Sequence, residues 1–146
     1  MRHFYICKGF EKENVMLPTR STKFSAGYDF RSMEDIVLKP GESHIFQTGV
    51  KAQMDEDDVL LVFIRSSLAI KSGLSLSNSV AVIDADYFSN PTNDGHIMIA
   101  LRNNSDKEVE VRKYDKIAQG IFVKYGLTKD DCCQQERTGG TGSTGR

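Results

Sequence analysis

Short apolar runs separated by turn residues dominate the pattern of the chain. "DIVLKPGE" (35–42), "HIFQTGVKAQM" (44–54), "VLLVFI" (59–64), "HIMIAL" (96–101), "VEV" (109–111) and "IAQGIFV" (117–123) are brief and rich in β-branched residues. Runs of that kind read as strands. Pro40-Gly41, Asn93-Asp94-Gly95 and Asn103-Asn104 fall between them and supply the dihedrals that chain reversals need. Strands recurring about every ten residues predict an all-β sandwich or barrel. One helix is expected. In "RSSLAIKSGL" (65–74), Ser66 or Ser67 is placed to cap Leu68 to Ser72, and Gly73 supplies a left-handed stop. The N-terminus of that helix would offer free N–H groups to an anion, although an ordinary strand-to-helix corner accounts for the same letters.

With 146 residues the chain fits one domain, and 39% hydrophobic with 27% charged residues gives a globular composition. A formal net charge of -1 argues against nonspecific nucleic-acid binding, which needs excess positive charge. Any anionic ligand must then be met by local groups. Cys7, Cys132 and Cys133 are odd in number and two are adjacent, a poor basis for a disulfide framework and a better fit to a reducing compartment. No apolar run has signal-peptide length or approaches the roughly 18 residues of a membrane helix. A cytoplasmic protein is the expectation.

Chemistry concentrates in a few stretches. In "NSVAVIDADY" (78–87) Asp84 and Asp86 follow β-type residues, and two aspartates two apart on a strand face the same way. Solvated edge carboxylates explain them; so does a general base or a metal carboxylate. An aspartate with an ordinary pKa of about 3.9 is already ionised at neutral pH and ready to accept a proton from a positioned water. "SAGYDF" (25–30) carries Asp29, and Arg65 ends the strongest apolar run; a tight turn and an ion pair at a sheet end are their plain uses. "RTGGTGSTGR" (137–146) is either a loose tail or a phosphate lid, since glycines let successive N–H groups turn toward an anion.

Taken in order, "SAGYDF", "RSSLA", "NSVAVIDADY", "YDKIAQG" and "RTGGTGSTG" resemble the five motifs of the homotrimeric dUTPase (dUTP pyrophosphatase) family, over about Leu17 to Gly145. Within the family, the chain resembles Gram-positive bacterial or phage members. The resemblance implies a jelly-roll-like, distorted β-barrel over residues 1–136, a flexible phosphate-covering arm over 137–146, and a homotrimer sharing its active sites. It also implies Mg²⁺-dependent hydrolysis of dUTP to dUMP and pyrophosphate. On that pattern Asp84 matches the residue that deprotonates the water attacking the α-phosphorus, and Tyr87 the ring under the deoxyribose. Asn78 and the backbone of Val82 and Ile83 lie where the uracil edge is read. Arg65, Ser66, Ser67 and Gln119 match phosphate-side positions, and Asp29 matches a carboxylate near the waters of a Mg²⁺ held mainly by the phosphates. The arm, with Arg137, Thr141, Gly142, Ser143 and Thr144, is expected to close over the nucleotide of a neighbouring subunit. Ordering it costs about 1–2 kcal/mol per residue, so it is expected to be disordered without substrate and metal.

Two departures stand out. Thr141 occupies the place of a phenylalanine that stacks on uracil in most members, a contact worth roughly 1–3 kcal/mol elsewhere. "YFSNPTNDGHI" (87–97) is longer than the usual segment after the catalytic strand, and makes Asn93, Asp94 and His96 candidates for substrate contact against a plain turn. Ala81 in place of a usual glycine and "IRSS" in place of "PRSG" are mild changes. Other functions in view are a dUTP-binding regulator acting through partner proteins and a dCTP deaminase on a related fold. For the deaminase, no glutamate matches the one that activates water.

Overall fold

A computed structural model describes residues 1–145. In chain order the elements are β1 (His3–Ile6), β2 (Thr19–Arg20), β3 (Tyr28–Arg31), β4 (Ile36–Leu38), β5 (Ser43–Phe46), β6 (Val50–Gln53), β7 (Asp58–Ile64), α1 (Ser66–Ser72), β8 (Leu74–Leu76), β9 (Ala81–Asp84), β10 (Ile99–Asn103), β11 (Val109–Val111) and β12 (Lys116–Lys124). The all-β expectation holds. Four antiparallel ladders carry it, in the orders β1-β6, β5-β10-β8, β11-β4 and β2-β3-β12-β7-β9. Among the described residues these ladders do not close into a barrel ring.

The largest sheet is built on two strands with opposite needs. In β7, Asp58, Leu60 and Val62 turn inward and are fully buried, whereas the residues between them are half-buried. That is the period-two pattern of a strand with one face on the core. Alongside it, β12 carries Gly120 where Phe30 and Leu60 cross: a Cβ there would lie 2.8 Å and 2.9 Å from their carbons. The missing side chain lets both pack. Phe30, Phe46, Leu38, Leu60, Ile97, Ile99, Leu101 and Ile117 fill the interior, each worth roughly 1.5–3 kcal/mol when removed from water.

The run 44–54 is two strands rather than one. Gly49, at φ 72°, turns a corner between β5 and β6, which pair with β10 and β1 respectively. The helix also differs in its start. Arg65 takes the cap position with extended backbone and no side-chain cap bond forms, so neither Ser66 nor Ser67 caps. Its stop is as expected: Gly73 has φ 67° and its N–H bonds to the Leu68 carbonyl. At the start of β7, buried Asp58 accepts from Arg2 Nε (2.9 Å) and Nη2 (2.6 Å) and lies 3.2 Å from Lys124 Nζ. These bonds, that of Arg2 first, hold its carboxyl well below the usual range. Among the described residues no helix is long and apolar enough to cross a membrane.

Candidate functional site

Among the described residues, strand β9 is the outer strand of the large sheet and pairs with β7 alone, with Asp84 opposite Val59. One backbone edge of β9 is therefore open. The turn before it is not a paired hairpin. Strand β8 pairs with β10 and β9 with β7, so the chain changes sheets between them through Ser79 at φ 62°. Asn78, Val82, Ile83, Asp84 and Tyr87 line a cavity of about 370 Å³ whose far wall is Arg137, Thr141, Gly142 and Thr144. Nine of the residues expected from sequence thus meet in one place.

Asp84 and Asp86 do not share a strand face. The strand ends at Asp84, and Ala85–Tyr87 form a 3-10 turn. Their carboxylates nevertheless converge on one cation. Arg137 places Nη2 2.7 Å from Asp84 Oδ2 and Nε 2.7 Å from Asp86 Oδ1, with its guanidinium carbon 5.7 Å from the Tyr87 ring centre. Through these contacts the arm lies over the Asp84 of its own chain. Ser143 organises the arm internally, donating to the Gly139 carbonyl (2.9 Å) and accepting from Arg137 Nη1 (3.3 Å). Beyond Asp84, Ser143, Thr144 and Cys133 line an adjoining cavity of about 540 Å³.

Tyr87 is buried and its hydroxyl is doubly held. It donates to the His96 carbonyl (2.8 Å) and accepts from Asn93 Nδ2 (2.8 Å). The long loop after it serves the scaffold. Asp94 pairs with Lys51 (2.8 Å) and accepts from the Lys8 N–H, while His96 Nε2 accepts from the N–H groups of Thr48 (3.2 Å) and Gly49 (2.9 Å). None of Asn93, Asp94 and His96 lines the cavity, and their bonds are those of a turn. Burial pushes the His96 pKa down, against a smaller upward pull from Glu34.

The remaining expected residues gather elsewhere. Gln119 on β12 stands directly opposite Asp29 on β3, and with Arg65, Ser66 and Ser67 they line a separate cavity of about 280 Å³. Asp29 is spoken for: Oδ1 lies 3.2 Å from Arg65 Nε, and Oδ2 lies 2.9 Å from Lys116 Nζ and 2.6 Å from the Ser21 hydroxyl. Burial would raise its pKa, but Ser21, Lys116 and Arg65 together hold it below the ordinary value. Gly27 is packed under the Gln119 amide, where a Cβ would come within 2.5 Å of Oε1. Lys116 and Ser21 escaped the sequence reading. Lys116 had a signal, since it lies inside "YDKIAQG" three residues before Gln119; Ser21 had none.

This geometry bears on Mg²⁺. Among the described residues no group of three or more His, Cys, Asp or Glu is placed to hold a metal. Both oxygens of Asp29 already face cations or a hydroxyl, so Asp29 does not fit as a direct ligand. A metal brought by an anionic ligand and keeping its waters fits better, as Mg²⁺ usually does.

The two clusters lie at opposite ends of β7. Asp84 sits across from Val59, and Arg65 follows Ile64; at about 3.3 Å per residue, the interval is roughly 20 Å. A match to the dUTPase family model spans residues 13–145. The chain belongs to the dUTPase family. It is 42% identical to the deoxyuridine 5'-triphosphate nucleotidohydrolase of Lactococcus lactis, over 99% of this chain and 98% of that protein. A Helicobacter pylori (strain J99) protein of the same name is 34% identical, over 90% of each. Among solved structures, the dUTPase of Streptococcus mutans superposes with a TM-score of 0.80 at 39% identity, covering 86% of this chain and 98% of that one. The dUTPase of staphylococcal phage phi11 shares the fold, with a TM-score of 0.73 at 22% identity over 92% and 97% of the chains.

Proposed function

We propose that the chain hydrolyses dUTP to dUMP and pyrophosphate with Mg²⁺, as a homotrimer in which each active site joins clusters from different copies. The observation that carries this reading is the cavity where Asp84 and Tyr87 meet the open edge of β9. An unpaired strand edge presents backbone donors and acceptors in a fixed row, which suits the pairing edge of a uracil beside Asn78, Val82 and Ile83. A wrong base would cover those groups without pairing them and lose affinity. The Tyr87 ring, held from its hydroxyl, forms a floor for deoxyribose that leaves no room for a 2′-hydroxyl.

Asp84 holds a water for attack on the α-phosphorus and takes its proton, a role worth roughly 100- to 10,000-fold in rate. The phosphates extend toward Arg65, Ser66, Ser67 and Gln119. Since these lie roughly 20 Å from Asp84 along β7, a second copy must supply them, which is why a trimer belongs to the proposal. From the arm, Arg137, Ser143 and Thr144 face the triphosphate, with Thr141 and Gly142 over the base side. Arg137 then exchanges carboxylate partners for phosphate oxygens, where preorganised positive charge lowers the barrier. Mg²⁺ arriving on the triphosphate would neutralise its charge, with Asp29 near the metal's waters.

The test is pyrophosphate release from dUTP with Mg²⁺ by the intact chain, by Asp84→Asn and by a chain stopped after Glu136, alongside sedimentation of each. Activity confined to the intact trimer is expected. An intact chain that releases no pyrophosphate overturns the proposal.

A further inference from the structure

The loop at residues 88–96 carries an arrangement that the reaction as described leaves unused. Asn93 has its amide orientation fixed from both ends. Its Oδ1 accepts from Asn90 Nδ2 (2.7 Å) and from the Gly95 N–H (3.1 Å), which directs Nδ2 at the Tyr87 hydroxyl (2.8 Å). Asn90 is itself buried and held by the Tyr87 carbonyl through Nδ2 (2.9 Å). The phenol therefore has its donor on the His96 carbonyl and its acceptor on Asn93, and the ring cannot shift without breaking both bonds.

The same amide meets the arm. A Cβ on Gly140 would lie 2.9 Å from Asn93 Nδ2, 3.0 Å from Cγ and 3.1 Å from Oδ1. A Cβ on Gly139 would lie 3.1 Å from the Thr92 hydroxyl. Gly139 and Gly140 are buried between exposed Thr138 and Thr141. Neither has a positive φ, unlike Gly142 at 75°, so it is space rather than backbone conformation that excludes a side chain at these two positions. Thr141, by comparison, reaches the Tyr87 hydroxyl only at 3.4 Å.

We infer that Asn93 is a positioning residue that couples the sugar floor to the lid: one side-chain amide fixes the Tyr87 hydroxyl and forms the seat on which Gly139-Gly140 dock. The loop thereby gives the arm a docking place that Thr141 does not provide, and arm closure and deoxyribose selection depend on one group. The second half of this statement rests on the proposed dUTP reaction; the seat itself does not.

Two readouts separate these parts. Trypsin cleavage after Arg137 in the ligand-free full chain, followed by mass spectrometry, reports seating without any turnover. The ratio of kcat/KM for dUTP to that for UTP reports the sugar floor. Asn93→Ala is expected to speed the cleavage and to lower the dUTP preference, each by about tenfold, the scale of one lost hydrogen bond. Gly140→Ala, which leaves Tyr87 untouched, is expected to speed the cleavage and raise KM while keeping the preference. It also serves if Asn93→Ala does not fold. Wild-type cleavage rates in both variants overturn the seat, and faster cleavage with an unchanged preference in Asn93→Ala overturns the coupling. A wild-type chain that is inert toward dUTP, yet protected at Arg137 in an Asn93-dependent way, overturns the proposed reaction and leaves the seat standing.

Discussion

Arg137 Nη2 sits 2.7 Å from Asp84 Oδ2, so the cation of the arm covers the carboxylate that the proposed reaction uses as its base. Asp86 takes the Nε of the same guanidinium, and the Arg137 side chain is only 9% exposed. In the proposed reaction the triphosphate would draw Arg137 away from both carboxylates. Replacing Arg137 by alanine uncovers Asp84 but removes the proposed phosphate contact, and the second effect should prevail. Hydrogen bonds to charged groups contribute about 1.5–3 kcal/mol, so kcat/KM should fall about 10- to 150-fold. Steady-state kinetics of Arg137→Ala checks this; a rise in kcat/KM would mean that covering Asp84 is the dominant role of Arg137.

The parts of this molecule legible in the sequence are those with local causes. The apolar run of β7, the glycine stop of α1 and the ordered motifs were readable because each is set by neighbouring letters. Strands β1, β2 and β8 were not, because β1 and β8 owe their form to β6 and β10, far along the chain, and β2 is only two residues long. Gly49 is a similar case: the letters "QTGV" do not reveal that the chain turns there from β5, paired with β10, to β6, paired with β1. Within the site, Asp84, Tyr87 and Arg137 were picked out by pattern as parts of one site, but the direct pairing of Arg137 with Asp84 and Asp86 was not, since it arises only through tertiary folding. The loop after Tyr87 left two readings open, substrate contact and a plain turn, and its bonds are those of the turn. Asn93, Asp94 and His96 look like ligand-binding letters, and their polar atoms are consumed by Tyr87, Lys51 and the turn at Thr48-Gly49.

The cysteines should divide sharply in reactivity. Cys7 is buried, and its thiol is pushed up to about 12, chiefly by burial, so it holds almost no thiolate at neutral pH. Cys132 and Cys133 are exposed. A thiol-reactive chromophore added to the native chain should modify two cysteines rapidly and the third only on unfolding, because thiolate and access together set the rate. Three equally fast reactions would show that β1 and its surroundings open readily.

Thr141 gives the arm a small polar tip where an aromatic ring has room to lie. The residue is exposed and borders the same cavity as Asn78 and Val82, so Thr141→Phe extends the arm over the base without displacing core atoms. Base-aromatic stacking of about 1–3 kcal/mol corresponds to roughly 5- to 150-fold tighter binding. Calorimetry with an imido analogue of dUTP measures the gain, which should be accompanied by slower product release. An unchanged affinity would show that the Gly139-Gly140 seat already fixes the arm away from the base.

His96 makes stability depend on pH through a neutral ring. Its Nε2 accepts two backbone N–H groups at the corner between β5 and β6, its ring packs on Phe10 with centres 4.9 Å apart, and its carbonyl holds Tyr87. Protonation at Nε2 would turn two hydrogen bonds into repulsions, which agrees with the downward shift that burial imposes against the pull of Glu34. The folded pKa thus lies below the unfolded value of about 6.5. Between the two, the unfolded chain binds more protons, so stability rises with pH in that window. It is fully present above about 6.5 and is lost as the pH falls toward the folded pKa. Thermal midpoints measured from pH 8 to pH 5 should therefore decline below that point in the wild type. His96→Gln, whose Oε1 can accept the same N–H groups and cannot titrate, should show a flatter profile. Identical profiles would mean that another group carries the acid sensitivity of this corner.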